Sequence, residues 1–240
     1  KVLQVPLWDA VSAASLTEGT AASASNTNTT QATITLGEIG VYHQITDMLR
    51  DSAYSDVAAQ LGASSGRAIA ESMDSQVFAN FSSFASDIGT SGHELTAQDL
   101  LKAASTLRGN RLTGPFYAVV HPSAAYNLKK NLTNTLPYSG ATGLVNPSDI
   151  GNSVLGGFYI GTLAGVEIYE SALVPVSGTD SVAAVFAKTA FGHAMRGSID
   201  MNTLYLPAAR ATDVVLKAVA GATTIQSTFG VRITAEGTIN

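Results

Sequence analysis

The sequence predicts a mixed α+β fold, on three observations. A helical pattern runs through residues 47–86, strand-like apolar runs lie on both sides of it, and no regular βαβ alternation or internal repeat joins them.

Val2, Val5 and Leu7 form a short apolar run, followed by a longer, mostly alternating one through Ala32, Ile34, Leu36, Ile39, Val41 and Ile45. Between them, residues 12–31 are dominated by Ala, Ser, Thr and Asn, with Glu18 the one charge. A polar tract of that length between strands is either an unstructured loop or an arm that gains order on a neighbour. In 47–86, Val57, Leu61, Ile69, Met73, Val77 and Phe81 keep to a four-residue grid, with Phe78 and Phe84 beside it. A helix turns about 100° per residue, so a strict period of four drifts by about 40° per step. The apolar stripe therefore winds, which suits a helix with different partners along its length. Gly62 and Gly66 are expected to soften its middle.

Beyond the loop Gly89-Thr90-Ser91-Gly92, residues 96–107 read as a helix with Thr96 as N-cap and Leu100, Leu101, Ala104 and Leu107 facing inward. Phe116–Val120 reads as a strand ended by His121-Pro122, and 123–132 as a short helix. Gly- and Pro-rich residues 136–157 read mostly as loop. Strands are expected at 158–160 and 166–169, around the turn Leu163-Ala164-Gly165, and then at 182–188, 214–219 and 228–234.

Composition narrows the function. The 240 residues include 36 Ala, 22 Gly, 24 Ser and 25 Thr but no Cys. With 45% hydrophobic residues and a net charge of −5, the chain is not of the highly charged disordered class. The same charge argues against gripping nucleic acid, which needs clustered Lys and Arg. No apolar run reaches the roughly 20 residues of a bilayer span, and Asp9 cuts the first apolar stretch short, so neither a membrane helix nor a signal peptide is expected. Charged residues make up only 13%, against about 25% in ordinary domains. Interface cores are depleted in charge. The composition thus favours a chain that hides surface against other subunits.

One catalytic pattern is present. Gly62-Ala63-Ser64-Ser65-Gly66 matches G-x-S-x-G, the nucleophile elbow of serine hydrolases, and Asp149 and His193 follow in a permitted order. An elbow needs a strand before the serine, whereas residues 56–61 are helical in pattern. Ser64 therefore reads as a helix residue. His43, His93, His121 and His193 stand alone, without the spacing of metal ligands. Gly157, Gly161 and Gly165 form a G-x-x-x-G series outside any apolar 20-mer, so they read as turn and packing glycines. No phosphate loop precedes Lys188-Thr189, and the sequons at Asn28, Asn80 and Asn131 are common in so Ser/Thr-rich a chain. No catalytic, cofactor-binding or metal-binding residue is assigned, and no enzymatic activity is expected.

The order of parts resembles the HK97-fold major capsid proteins of tailed double-stranded DNA phages. The resemblance rests on Ser55-Asp56-Val57-Ala58-Ala59-Gln60-Leu61-Gly62 through Asp74 and Phe78 as a spine helix, and on Phe116-Tyr117-Ala118-Val119-Val120-His121-Pro122. It rests also on Gly161-Thr162-Leu163-Ala164-Gly165-Val166-Glu167-Ile168-Tyr169-Glu170-Ser171 before the turn Leu173-Val174-Pro175, and on 225–235 as a closing strand. It implies an N-terminal arm remnant and extended E-loop at 1–46, a peripheral (P) domain spine at 47–92, an axial (A) domain at 93–198 and returning P-domain strands at 199–240. It further implies hexamers and pentamers forming an icosahedral shell around DNA that is not read by sequence. Scaffold, portal and cement proteins are implied partners, and assembly belongs to the host cytoplasm. An encapsulin-type compartment is the alternative within the fold, and a serine hydrolase using Ser64 or a secreted Ser/Thr-rich adhesin domain the alternatives outside it. The family's namesake cross-links a lysine of the E-loop to an asparagine of a neighbour. Here no lysine follows Lys1 before Lys102, so that chemistry is not expected.

Overall fold

The computed structural model describes residues 1–8, 13, 15, 18–19, 21, 29–52, 56–134, 159–163 and 165–238. Most of the polar tract 12–31, the loop 136–157, Asp149, Gly157, Asn28, Phe158 and Ala164 lie outside the described residues.

The first two strands, β1 (Val2–Trp8) and β2 (Thr29–Thr35), form an antiparallel hairpin in register from Val2 opposite Thr35 to Trp8 opposite Thr29. The second apolar run divides at Leu36. Its later part is a separate strand, β3 (Gly37–Thr46), which leaves the hairpin and pairs antiparallel with β12 (Ala211–Thr224). Gly221 makes the crossing possible: a Cβ there would collide with the carbonyl oxygen of Thr35.

The predicted helix over 47–86 is divided too. A short helix α1 (Asp47–Ser52) precedes α2 (Val57–Phe78). Asp56 starts α2: its Oδ1 accepts from the amides of Ala58 (3.1 Å) and Ala59 (3.2 Å), two donors that lack intrahelical partners. After Phe78 the chain tightens into a 3-10 turn (Ala79–Ser83), then becomes a strand, β4 (Ser86–Gly89). Phe78, Phe81 and Phe84 are spaced by three, the repeat that stacks side chains in a 3-10 turn. The helix runs unbroken through Gly62 and Gly66.

The winding stripe does meet different partners. Ile69 and Met73 pack on Leu216, Ala218, Val41 and Val214 of a four-stranded sheet. There β12 has β3 along one edge and β11 (Asp200–Leu206) then β10 (Phe191–Met195) along the other. Phe78 and Phe81 enter a second cluster with Phe84, Phe186 and Phe191.

A seven-stranded sheet holds the main core. Its order is β4, β13 (Gly230–Glu236), β9 (Asp180–Ala187), β5 (Phe116–Val120), β7 (Val166–Glu170), β6 (Tyr159–Leu163), with β8 (Val176–Ser177) also on β9. Pairs β13–β4 and β5–β7 are parallel, and the rest antiparallel. Ala183 and Val185 face the core beneath α3 (Ala97–Gly109) and α4 (Pro122–Asn134), while Ala184 faces the aromatic cluster. Both faces of β9 are thus covered, as period-two alternation requires. Thr96 caps α3, as the sequence predicts, and the structure adds Asp99 as its reciprocal partner.

Candidate assembly surfaces

Ser64 lies inside α2 with helix on both sides and its side chain exposed. This is not the strand–turn–helix that activates a nucleophile. His193 lies on β10, paired opposite Ala222. Ser64→Ala is therefore expected to change stability by no more than about 0.5 kcal/mol, as surface changes do, and to leave particle formation intact. Unfolding curves and electron microscopy of the variant check this. Loss of a measurable esterase activity in particles that form normally would revive the hydrolase reading.

The other singled-out residues have local structural roles. His121 Nδ1 lies 2.6 Å from Ser123 Oγ at the start of α4, and burial lowers its pKa, partly opposed by Glu170. The Asn80 side-chain amide donates to the Gln76 carbonyl (2.7 Å), and that of Asn131 to the Leu95 carbonyl (3.3 Å). Lys188 and Thr189 sit in a 3-10 turn, and Gly161 and Gly165 in a strand and the turn after it. Among the described residues, no group of three His, Asp or Glu could hold a metal, and no helix is long and apolar enough to cross a membrane.

Several of the few charges are spent on fastening loops. Asp180 accepts from Ser91 Oγ (2.5 Å) and the Gly92 amide (2.9 Å), which lowers its pKa. Lys130 donates to Glu94 (2.8 Å), lowering the glutamate's pKa and raising its own. The carboxylates thus hold these loops above the usual carboxylate range and lose that contribution as pH falls through their lowered values. Arg232 pairs with Asp87, raising the guanidinium's pKa. Tyr205 donates to Asp47 (2.9 Å), tying α1 to β11 and raising the phenol's pKa.

Several large apolar side chains remain outward. The single Trp of the chain, Trp8, is 70% exposed at the far end of the described hairpin. Met48 and Leu49 on α1, and Met201, Leu204 and Tyr205 on β11, are also exposed. Between α2 and the four-stranded sheet lies a cavity of about 270 Å³, walled by His43, Leu61, Met201, Val214 and Leu216 among others. Scattered apolar side chains are ordinary, but this concentration on α1, β11 and the hairpin is the signature of a surface that other proteins cover. Composition foretold such surfaces without locating them. Trp8, the single Trp of the chain in a charge-poor arm, is a signal the sequence reading missed.

Residues 27–235 match the phage capsid protein family. No curated protein matches the sequence. Among solved structures, the capsid of cyanophage P-SCSP1u superposes with a TM-score of 0.74 at 18% identity, covering 99% of this chain and 84% of that one. The Mycobacterium phage Che8 structure gives 0.73 at 17% identity, covering 97% and 84%. The holo-SrpI encapsulin complex of Synechococcus elongatus PCC 7942 gives 0.66 at 12%, covering 88% and 78%. At these identities the superpositions speak for the fold, and the family match for membership: this chain belongs to the phage capsid protein family and has the HK97-like fold.

Proposed function

We infer that the chain is a non-enzymatic major capsid subunit, forming hexamers and pentamers of an icosahedral phage head around double-stranded DNA. The family match over 27–235 carries this reading. The physical surface supports it: many modest apolar contacts per copy, multiplied by symmetry, hold a shell without any one strong bond. In this reading 1–46 serve as arm and E-loop, 47–92 as spine, 93–198 as A domain and 199–240 as returning P domain, with β4 and β13 carried across into the A-domain sheet. A net charge of −5 suits a wall that confines DNA without adhering to it. Scaffold, portal and cement proteins complete the assembly in the host cytoplasm.

Expression and electron microscopy test the proposal. Closed shells are expected, and a single 25-kDa-sized species at micromolar concentration under particle-preserving conditions would overturn it. Protein cargo in place of DNA would favour the encapsulin alternative, which the fold similarity to SrpI keeps in view. Boiled in SDS, mature particles should run as one band near 24.7 kDa. Lys1 sits at the base of the hairpin, where its carbonyl accepts from the Leu36 amide, well away from Trp8 and Thr29. A ladder of dimers to hexamers containing a Lys–Asn isopeptide would refute the uncross-linked shell.

A further inference from the structure

We propose that β11 is a two-fold seam, pairing antiparallel with β11 of a second copy of this chain. The proposal rests on the capsid reading for its partner and on the strand itself for its geometry.

An open strand edge presents unpaired N–H and C=O groups, and proteins ordinarily guard it with proline, lysine, a bulge or brevity. The other open edges are guarded or polar. Outer strand β1 carries Pro6, its partner β2 is mostly Thr and Gln, the register of β6 is irregular between Tyr159 and Gly161, and β4, β8 and β10 span five residues or fewer. The solvent side of β3 is polar at Glu38 and Gln44 and carries one exposed large side chain, Tyr42. By contrast, β11 is seven residues long, lacks Pro and Lys, and among the described residues pairs only with β12. It leaves Met201 63%, Leu204 62% and Tyr205 51% exposed.

The strand is also complementary to itself. Turned about Thr203, it sets Met201 opposite Tyr205, Asn202 opposite Leu204 and Asp200 opposite Leu206, with Thr203 opposite Thr203. Of these, Met201–Tyr205 pairs a thioether with an aromatic ring and Thr203–Thr203 two hydroxyls, both favourable across strands, while Asn202 meets an apolar partner. The one carboxylate meets an apolar partner, and the two Asp200 groups stand about 20 Å apart at opposite ends of the seam. Pairing β11 with β3 of a second copy fits less well. Both strands run antiparallel to β12, so with the sheet faces aligned that junction would be parallel and head-to-tail, the slightly less stable pairing and not a two-fold one. The seam also has a consequence for the cavity. Met201 and Thr203 line it, and the partner's Tyr205 arrives opposite Met201 on that same face of the sheet.

The chain has no cysteine, so one introduced thiol reports on its own symmetry mate. Opposed Cα atoms in an antiparallel pair lie about 4.5–5.5 Å apart, within disulfide range. Oxidised shells of Thr203→Cys should give a dimer on non-reducing gels, lost on reduction. Asn202→Cys and Leu204→Cys should cross-link when co-expressed, whereas each alone should remain monomeric. Intact Thr203→Cys shells that run only as monomer would overturn the seam and leave the capsid reading standing. Cross-linking of co-expressed Thr203→Cys and Tyr42→Cys, without a Thr203→Cys dimer, would overturn it in favour of the β11–β3 junction. If the protein forms no shells, the capsid reading falls, and the same assay on the soluble species still decides the seam.

Discussion

Ile69→Asp is expected to abolish the native fold, and particle assembly with it. Ile69 is wholly buried, at the middle of α2 against Leu216 and Ala218. The surrounding cluster is completed by Met73, Val41 and Val214, none of which can solvate or pair with a carboxylate. The variant must bury an unpaired charge or carry a protonated acid with its pKa forced upward, and it loses the isoleucine packing as well. A cost above about 4 kcal/mol is a large part of the 5–15 kcal/mol that holds a domain together. Ile69→Val, which removes one methylene, should cost only about 0.5–1.5 kcal/mol and assemble. Soluble yield, urea unfolding and electron microscopy of the pair separate the outcomes, and normal particles from Ile69→Asp would refute the role given to this contact. Val77→Asp should be milder, because Val77 is only partly buried.

Phe81→Ala is expected to cost about 3–5 kcal/mol and to uncouple the two sheets. Phe81 is completely buried, and its ring centroid lies 5.8 Å from that of Phe186 and 5.9 Å from that of Phe191. Phe186 belongs to β9 of the seven-stranded sheet and Phe191 to β10 of the four-stranded one. Phe78, 5.3 Å away, ends α2. One ring therefore fastens the helix to both sheets. Its removal leaves a cavity that the remaining aromatic rings cannot fill without breaking their own contacts. Thermal unfolding should shift downward, and hydrogen exchange should rise at β10 and the end of α2 before it rises in α3. Unfolding curves unchanged from the parent would show that the hub is not structural.

Much of the fold is legible because burial leaves a pattern in sequence. The stripe from Ile69 to Phe81, the cap at Thr96 and the doubly covered strand Phe116–Val120 all declare themselves through spacing. The errors fall where burial is absent or a local group decides. Nothing in hydropathy marks the break before Val57; it follows from the Asp56 carboxylate, which can serve as cap only if the helix starts there. The division at Leu36 depends on Gly221, 185 positions along the chain, leaving room for a crossing. Strands β10 and β11 escape sequence reading altogether. With six of seven residues exposed, β11 shows no alternation of inside and outside to read. The same lack of pattern that hides the strand identifies it as an unfinished edge.

The alanines between α3, α4 and the seven-stranded sheet carry a mechanical consequence. Ala103, Ala104, Ala124 and Ala125 meet a sheet face that includes Ala118, Ala183 and Ala235. Alanine has no side-chain rotamers to rearrange, so at these positions helix and sheet approach closely, while Leu100, Leu107, Leu128, Phe116 and Ile233 fill the rest of the layer. A close-packed layer of this kind has few ways to rearrange. A wall that closes on itself must curve somewhere, and a stiff plate passes the strain to its slender joints. Here the crossing of the hairpin over Gly221 is such a joint. In the proposed shell, curvature is then set at such joints, while the packed layer keeps its shape.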